Sequence, residues 1–370
     1  MIHPRPPYNA PGTAMEKSKF ISVFSKDGIE MPKPDYQITP LENFRRVAER
    51  KDPLWIPNTL MDFQKLRTRG PLLGAQSGVV HASDFSDKSR YIDWFGVDWV
   101  WVASAGGAML TPGTKLLEDI TDWEKGVKFP DLDSIDWQSQ VDYLMKNEYD
   151  PTKVMDCDVG AGCTERLVSV LGGYTETMLA LAVEPEAVKD FFDCYSDFMI
   201  RFMEKLFSFF PVTMITLHDD WGTERDTFFS NAMMEELVFE PTKRMVDFVR
   251  SNGVRFNLHS CGNITRFIPY MIDMDIDFMQ IQRRAVDIPM VKEKYGDRIG
   301  IDTGIEGLSG RTIDIPRDEL LSCIRNTVDL YGKNGGFITS IQPSKNLENN
   351  WDAIFELYCH SREFYDSERQ

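Results

Sequence analysis

Short apolar runs bounded by polar or turn-forming residues recur along the chain: "LWIP" (54–57), "VDWVWV" (97–102), "KVMDCDV" (153–159), "TMITLH" (213–218), "VRFNLH" (254–259), "DFMQIQ" (277–282), "RIGIDT" (298–303) and "GFITSI" (336–341). Their length and β-branched content predict strands. Between the later runs, apolar residues recur at three- and four-residue spacing, as in "PEAVKDFFDCYSDFMIRFMEKLFSFF", "NAMMEELVFEPTKRMVDFVRSNG" and "RDELLSCIRNTVDLYGKNG". These stretches predict amphipathic helices, some closing on glycine. Strand alternating with helix predicts an α/β fold with a parallel sheet and crossover helices. An open doubly wound sheet and a closed barrel both fit that alternation. Eight units with no G-x-G-x-x-G after an early strand favour the (β/α)8 TIM barrel.

Two stretches depart from the rhythm. Residues 1–40 carry Pro4, Pro6, Pro7, Pro11, Pro32, Pro34 and Pro40 without sustained periodicity, which predicts an N-terminal extended arm or short hairpin. At "TPLENFRRVAERKDP" the pattern turns helical, with Thr39 as a cap before Pro40 and Glu42, so 41–370 are expected to form a single barrel domain. The segment near 104–150 is too long for an ordinary connection and predicts an insertion, either a lid or a side elaboration.

Composition narrows the function classes. The 370 residues are 42% hydrophobic and 27% charged, as in a globular protein with ample core. A net charge of -17 argues against binding nucleic acid, which needs clustered Lys and Arg. The six cysteines (Cys157, Cys163, Cys194, Cys261, Cys323, Cys359) form no C-x-x-C and no compact framework, so reduced thiols in a cytoplasmic protein are expected. The N-terminus lacks the apolar core of a signal peptide. The most apolar stretch, "WVWVASAGGAML", falls short of the about 18 residues of a membrane span, so no membrane partner is expected.

In a barrel the chemistry sits at the carboxyl ends of the strands. Three such ends carry suitable residues: "HDDWGTE" (218–224), "HSCGN" (259–263) and "DTGIEG" (302–307). His259 and Cys261, two apart on an extended strand end, point the same way, and imidazole with thiolate is a Zn²⁺ donor pair. The plain alternative is a satisfied histidine beside a small buried cysteine. Asp219, Asp220 and Glu224 can hold a metal, orient a substrate or work as general acid and base, or else serve as turn and capping residues. Alternation turns one of Asp219 and Asp220 to the mouth and the other sideways, while His218 reads as a core or supporting histidine. Asp302 and Glu306 suggest a carboxylate pair of the glycosidase kind. "GAGC" (160–163) lacks the lysine of a phosphate loop and reads as a tight strand-to-helix turn, and the aromatic run "DWFGVDWVWV" reads as core.

Together, "DWFGVDWVW", "GTKLLEDITDWEKGVKFPDLDSIDW", "LALAVEPEAVKDFFD", "HDDWGTE", "FVRSNGVRFNLHSCGNITRFIPYMIDMDIDFMQIQ" and "GGFITSIQPS" resemble, in order and spacing, the uroporphyrinogen decarboxylase-like superfamily, and within it the corrinoid-dependent methyltransferases. The resemblance covers most of the chain. It implies a (β/α)8 barrel that binds Zn²⁺ at its mouth. It further implies a methyltransferase component of the O-demethylase type, moving a methyl group from a donor such as a methoxylated aromatic to the cobalt of a separate corrinoid (cobalamin) protein. On this resemblance His259, Cys261 and Glu224 are the expected metal ligands, with Asp220 and Asp219 as catalytic acids. Thiol-methylating members carry a further cysteine at the last strand end, where this chain reads "SIQPS" with Ser340 and Gln342. Porphyrinogen decarboxylases carry an arginine-bearing segment after the first strand, whereas "LWIPNTLMDFQ" has no cation before Lys65. A metal-independent decarboxylase of another substrate, using Asp219 or Asp220, and a non-catalytic corrinoid- or protein-binding barrel are the alternative expectations.

Overall fold

The computed structural model describes residues 15–18, 29–66, 90–102, 107–147, 149–308, 313–341, 343–344 and 346–369. Its strands are β1 (Met15–Ser18), β2 (Ile29–Pro32), β3 (Phe63–Lys65), β4 (Arg90–Ile92), β5 (Asp98–Val102), β6 (Gly107–Leu110), β7 (Val154–Val159), β8 (Met214–His218), β9 (Arg255–Ser260), β10 (Phe278–Ile281), β11 (Gly300–Thr303) and β12 (Phe337–Thr339). Seven of them form one sheet in the order β12-β11-β10-β9-β8-β7-β3. The register is parallel for β7–β8, β8–β9, β9–β10 and β11–β12. With helices filling the connections, this is the TIM-barrel-like α/β architecture that the alternation predicts.

Six of the eight expected strands are β7 to β12. The other two runs behave differently. In "LWIP" the backbone donors are taken by side chains, Leu54 N–H by Asn43 Oδ1 and Ile56 N–H by Ser361 Oγ, so no ladder forms; a single bridge, Asn58 to Thr339, follows it. The short β3 stands in the sheet instead. "VDWVWV" gives β5, which lies in a separate antiparallel sheet between β4 and β6. Its residues alternate half-buried and buried, the signature of a sheet covered on one face, whereas buried parallel strands read as continuous apolar runs.

The chain divides into two compact units. In the unit of Met1–Lys65, Tyr149–Val154 and Asp287–Gln370, β1 and β2 form an antiparallel hairpin in the stretch expected to be an arm; residues 1–14 and 19–28 of that stretch lie outside the described residues. Helix Pro40–Glu49 begins as expected. Thr39 Oγ1 accepts from Glu42 N–H at 3.1 Å, Pro40 occupies the first turn where its missing N–H costs nothing, and Phe44 and Val47 face the core. Lys292, on helix Ile288–Tyr295, donates to Gly335 O at 2.6 Å.

The second unit, Leu66–Glu148 and Met155–Val286, is organised by helix Pro185–Phe209. That helix buries Phe191, Phe192, Tyr195, Phe198 and Phe202 on one side. The described part of the expected insertion packs on the same helix, with Trp123 against Phe191 (5.7 Å between ring centroids), Phe129 against Phe198 (5.3 Å) and Trp137 stacked on Phe209 (5.8 Å). It is a side elaboration. Residues 104–106 and 148 of it are not among those described. Beneath the aromatics Arg166 and Asp93 form a fully buried ion pair at 2.9 Å, the guanidinium 4.2 Å from the Phe95 ring centroid. Asp93 also accepts from Phe95 N–H, Val97 N–H and Trp99 Nε1–H, so its charge is spread over four donors.

Two predictions follow from these buried charges. Asp93→Ala leaves Arg166 charged and unpaired, and urea unfolding should show a loss of about 3–5 kcal/mol. Burial, aided by the nearby charge of Arg50, lowers the Lys292 ammonium from its ordinary 10.5 to about 7. Between those two values the unfolded chain binds a proton that the folded chain does not, so stability rises with pH across that window. Relative to Lys292→Met, the native chain should therefore gain on the order of 2 kcal/mol between pH 7 and pH 10. Parallel pH profiles for the two proteins would contradict this.

Candidate metal centre

On one side of the sheet, polar side chains gather toward the carboxyl ends of β7 to β10: Asp156 and Asp158, Thr216 and His218, Asn257 and His259, and Gln280. Asp156, Thr216 and Asn257 form one row, in which Thr216 Oγ1 donates to Asp156 Oδ1 at 2.9 Å and accepts from Asn257 Nδ2 at 3.3 Å. Two residues further on, the register sets His218 beside His259 and His259 beside Gln280. The two imidazoles lie 4.6 Å apart between centroids, and His218 Nε2 is 3.6 Å from Asp158 Oδ1. TIM-barrel interiors are usually filled by branched apolar residues, so a polar stripe running to the strand ends marks where the chemistry lies.

The loops after β8 and β9 interlock at that end. Asp219 N–H donates to His259 O (3.0 Å), Cys261 N–H to Asp220 Oδ1 (2.7 Å), Trp221 N–H to Ser260 Oγ (2.9 Å) and Asn263 N–H to Thr223 O (2.6 Å). The approach requires glycine. Gly262 has φ +80°, and a Cβ there would meet the Gly222 carbonyl at 2.2 Å.

Asp220, His259 and Cys261 thereby come together, with one donor atom from each lying within 4.8 Å of the others. His259 Nε2 stands 3.4 Å from Cys261 Sγ and 3.7 Å from Asp220 Oδ1. These are the spacings expected of ligands sharing one tetrahedral ion with bonds of about 2.0 to 2.3 Å. The supporting contacts suit the same purpose. Gln280 Oε1 lies 2.8 Å from His259 Nδ1, where it can only accept a hydrogen bond; this selects the tautomer protonated at Nδ1 and leaves the Nε2 lone pair for the cluster. Gln282 donates an amide N–H to Cys261 Sγ at 2.9 Å, which supports the thiolate form a metal requires. The donor set fits a Zn²⁺ ion.

The other expected site residues stand elsewhere. Asp219 is buried against the start of helix Cys163–Leu171, accepting from Thr164 Oγ1–H and, at 2.8 Å, from Glu165 N–H; burial pushes its carboxyl up to about 6. It clamps the "GAGC" turn, where a Cβ on Gly162 would meet Asp219 at 2.4 Å. Glu224 is 74% exposed and 3.6 Å from Arg284, outside the cluster. The helix glutamate Glu236, which "NAMMEE" offers as an oxygen ligand in place of Glu224, is also exposed, in a π-helical turn. In the first unit Asp302 accepts from Ser340 Oγ at 2.7 Å and Glu306 from the Tyr331 hydroxyl. Gln342 is not among the described residues.

Four residues near the cluster escaped the reading of the sequence. Gln280 and Gln282 follow at the end of β10 the same two-residue spacing as His259 and Cys261, and that spacing was the available signal. Glu165 and Tyr174 gave none. Burial, with the charges of Asp220 and Asp219, pushes the Glu165 carboxyl well above its ordinary value. Burial, with the charge of Asp220, likewise pushes the Tyr174 phenol well above its ordinary value.

Residues 118–304, just over half of the 370, match the model of the uroporphyrinogen decarboxylase (URO-D) family. Among solved structures, a methyltransferase from Methanosarcina mazei is similar at TM-score 0.58 and 11% identity, covering 89% of this chain and 100% of that one. At this identity the likeness is one of fold. A D-psicose 3-epimerase with D-tagatose from Clostridium cellulolyticum H10 gives TM-score 0.30 at 12% identity over 64% of this chain and 93% of its own, too remote to bear on the site. Among curated proteins nothing matches.

Gly262→Ala should force the loops after β8 and β9 apart. It is expected to cost about 1–3 kcal/mol in urea unfolding, from a strained left-handed backbone and displaced hydrogen bonds. Native stability in that variant would mean that the loops are not held by this contact.

Proposed function

The chain belongs to the uroporphyrinogen decarboxylase family, and on that footing we propose that it is a zinc-dependent methyltransferase that passes a methyl group from a methoxylated aromatic to the cobalt of a corrinoid carried by a separate protein. The observation that carries this reading is the convergence of Asp220, His259 and Cys261 donors within 4.8 Å, with His259 oriented by Gln280. The fold likeness to the Methanosarcina mazei methyltransferase, which extends over all of that chain, supports it. A metal-independent decarboxylase using Asp219 is less well supported, because that carboxylate is already committed to the start of helix Cys163–Leu171.

Bound by Asp220, His259 and Cys261, Zn²⁺ would act as a Lewis acid toward the charge that develops on the leaving oxygen of a methyl ether. In the transfer, the C–O bond of the ether breaks and its electron pair stays with the oxygen. The reduced corrinoid of the separate protein, as methyl acceptor, would supply the electron pair for the new bond to the methyl carbon. The chain's own residues supply position and a hydrogen bond. His259, Cys261 and Asp220 are held by Gln280, Gln282 and the Cys261 N–H, respectively. The Tyr174 hydroxyl, kept protonated among acids, offers a hydrogen bond to the departing oxygen.

Elemental mass spectrometry should find close to one zinc per native chain and little in His259→Ala or Cys261→Ala. Gln280→Leu, which frees the imidazole to turn, should weaken zinc binding by about 10- to 100-fold in a chelator competition. With a reduced corrinoid protein, the native chain should demethylate methoxylated aromatics and His259→Ala should not. Native protein that takes up no zinc even on reconstitution would refute the reading.

A further inference from the structure

Helix Tyr174–Val183 turns an apolar face to solvent. Thr177, Ala180 and Leu181 are its buried residues. On the opposite side Leu179, Ala182 and Val183 are exposed, at the three- and four-residue spacing that makes neighbours on a helix. Leu179 and Val183 are 59% and 67% exposed. A single exposed apolar residue is ordinary, whereas a contiguous set on one helix marks a surface that binds something.

That face stands at the approach to the cluster. Tyr174 begins the helix and stacks on Phe228 with ring centroids 4.5 Å apart. The Phe228 N–H donates to the carbonyl of Trp221, the residue after Asp220, at 2.8 Å. From Tyr174 the helix runs to Glu184 and the start of helix Pro185–Phe209. Further along that second helix, the Tyr195 hydroxyl donates to Ala161 O at 2.6 Å, in the loop after β7. Beyond Tyr195 it leads back toward the start of β8. Pro185 therefore lies about 15 Å past Tyr195 along the helix axis, at a rise of about 1.5 Å per residue, on the carboxyl-end side of the strands. Helix Tyr174–Val183 climbs from the cluster to this raised end.

The rim of the patch is acidic. Over 174–190 the charged residues are Glu176, Glu184, Glu186, Lys189 and Asp190, and the lysine is tied to Asp193 at 2.6 Å. A second copy of this chain would set these acids against one another, on top of a net charge of -17. A partner whose own apolar patch is ringed by lysine and arginine would be drawn to them.

We propose that the exposed face of helix Tyr174–Val183 is where the corrinoid-carrying protein docks, an apolar patch with a basic rim covering Leu179, Ala182 and Val183. This rests on the methyltransferase reading above, which brings the cobalt to the cluster on a separate protein, and it names the surface that receives that protein.

For the test, corrinoid proteins of the source organism, purified by their cobalamin absorbance, are titrated into the zinc-loaded chain by calorimetry. The double variant Leu179→Lys, Val183→Lys should lose about 30- to 100-fold in affinity for the one that the native chain binds. Leu179→Ala, a favourable change at an exposed helical position, should show part of that loss. Glu176→Gln with Glu186→Gln should flatten the fall of affinity with salt. Zinc content, and demethylation of a methoxylated aromatic with free reduced cobalamin, should stay native in all of them. Native affinity in the lysine variant overturns the inference. So does a native chain that binds none of these proteins, and turnover with free reduced cobalamin then decides whether the methyltransferase reading survives. A native dimer that the lysine variant breaks, with corrinoid-protein affinity unchanged, overturns it in favour of a second copy. If the variants lose the corrinoid protein while even the native chain demethylates nothing, the docking surface is upheld and methyl transfer is what fails.

Discussion

The in-register pairing of β8, β9 and β10 is the constraint on which the site depends. Because side chains alternate along a strand, this register places His218, His259 and Gln280 in one row. The next residue on the same side of the β9 strand end is Cys261. A slip of one residue in β9 would turn His259 and Cys261 to the opposite side together. The hydrogen bonds between the loops after β8 and β9 extend this register beyond the last ladder bond, so the donors are positioned by the sheet and not by loops alone.

This explains which parts of the site could be read from the sequence. His259, Cys261 and Asp220 lie within two residues of a strand end, where alternation still governs direction. Glu224 lies beyond Gly222 and Thr223. There the chain turns back on itself through a Gly222–Thr227 bridge and the Thr223 hydroxyl, carrying Glu224 out to solvent. Side-chain direction in such a turn follows from hydrogen bonds that residue spacing does not encode. Gln280 and Gln282 were passed over because a neutral amide carries no chemical signature until its partner is known. Glu165 and Tyr174 feel the charge of Asp220 only because folding brings distant segments together.

The fold was legible for a similar reason and to a similar depth. Parallel strands buried on both faces read as short apolar runs between helical patterns, and β7 to β12 follow them. "LWIP" has the same composition, yet its N–H groups go to Asn43 and Ser361, an outcome decided by residues far away in sequence. "VDWVWV" was recognisable as a strand, but its one-sided burial belongs to an antiparallel sheet. The aromatic run "DWFGVDWVWV" was identifiable as core, and Phe95, Trp99 and Trp101 are buried; the helix Pro185–Phe209, on which the aromatics of the insertion pack, is the longest of the amphipathic patterns.

The adjacent acids after β8 divide their work by facing opposite ways: Asp219 inward onto the first turn of helix Cys163–Leu171, Asp220 outward to the cluster. The pair therefore acts as a phase marker for that loop. Deleting or inserting one residue between His218 and Trp221 would exchange the two roles, stripping the helix of its anionic cap and offering the cluster a carboxylate that cannot reach it. Length variation among related chains should accordingly be absent from this loop and accumulate beyond Gly222, where the turn no longer keeps phase with the sheet.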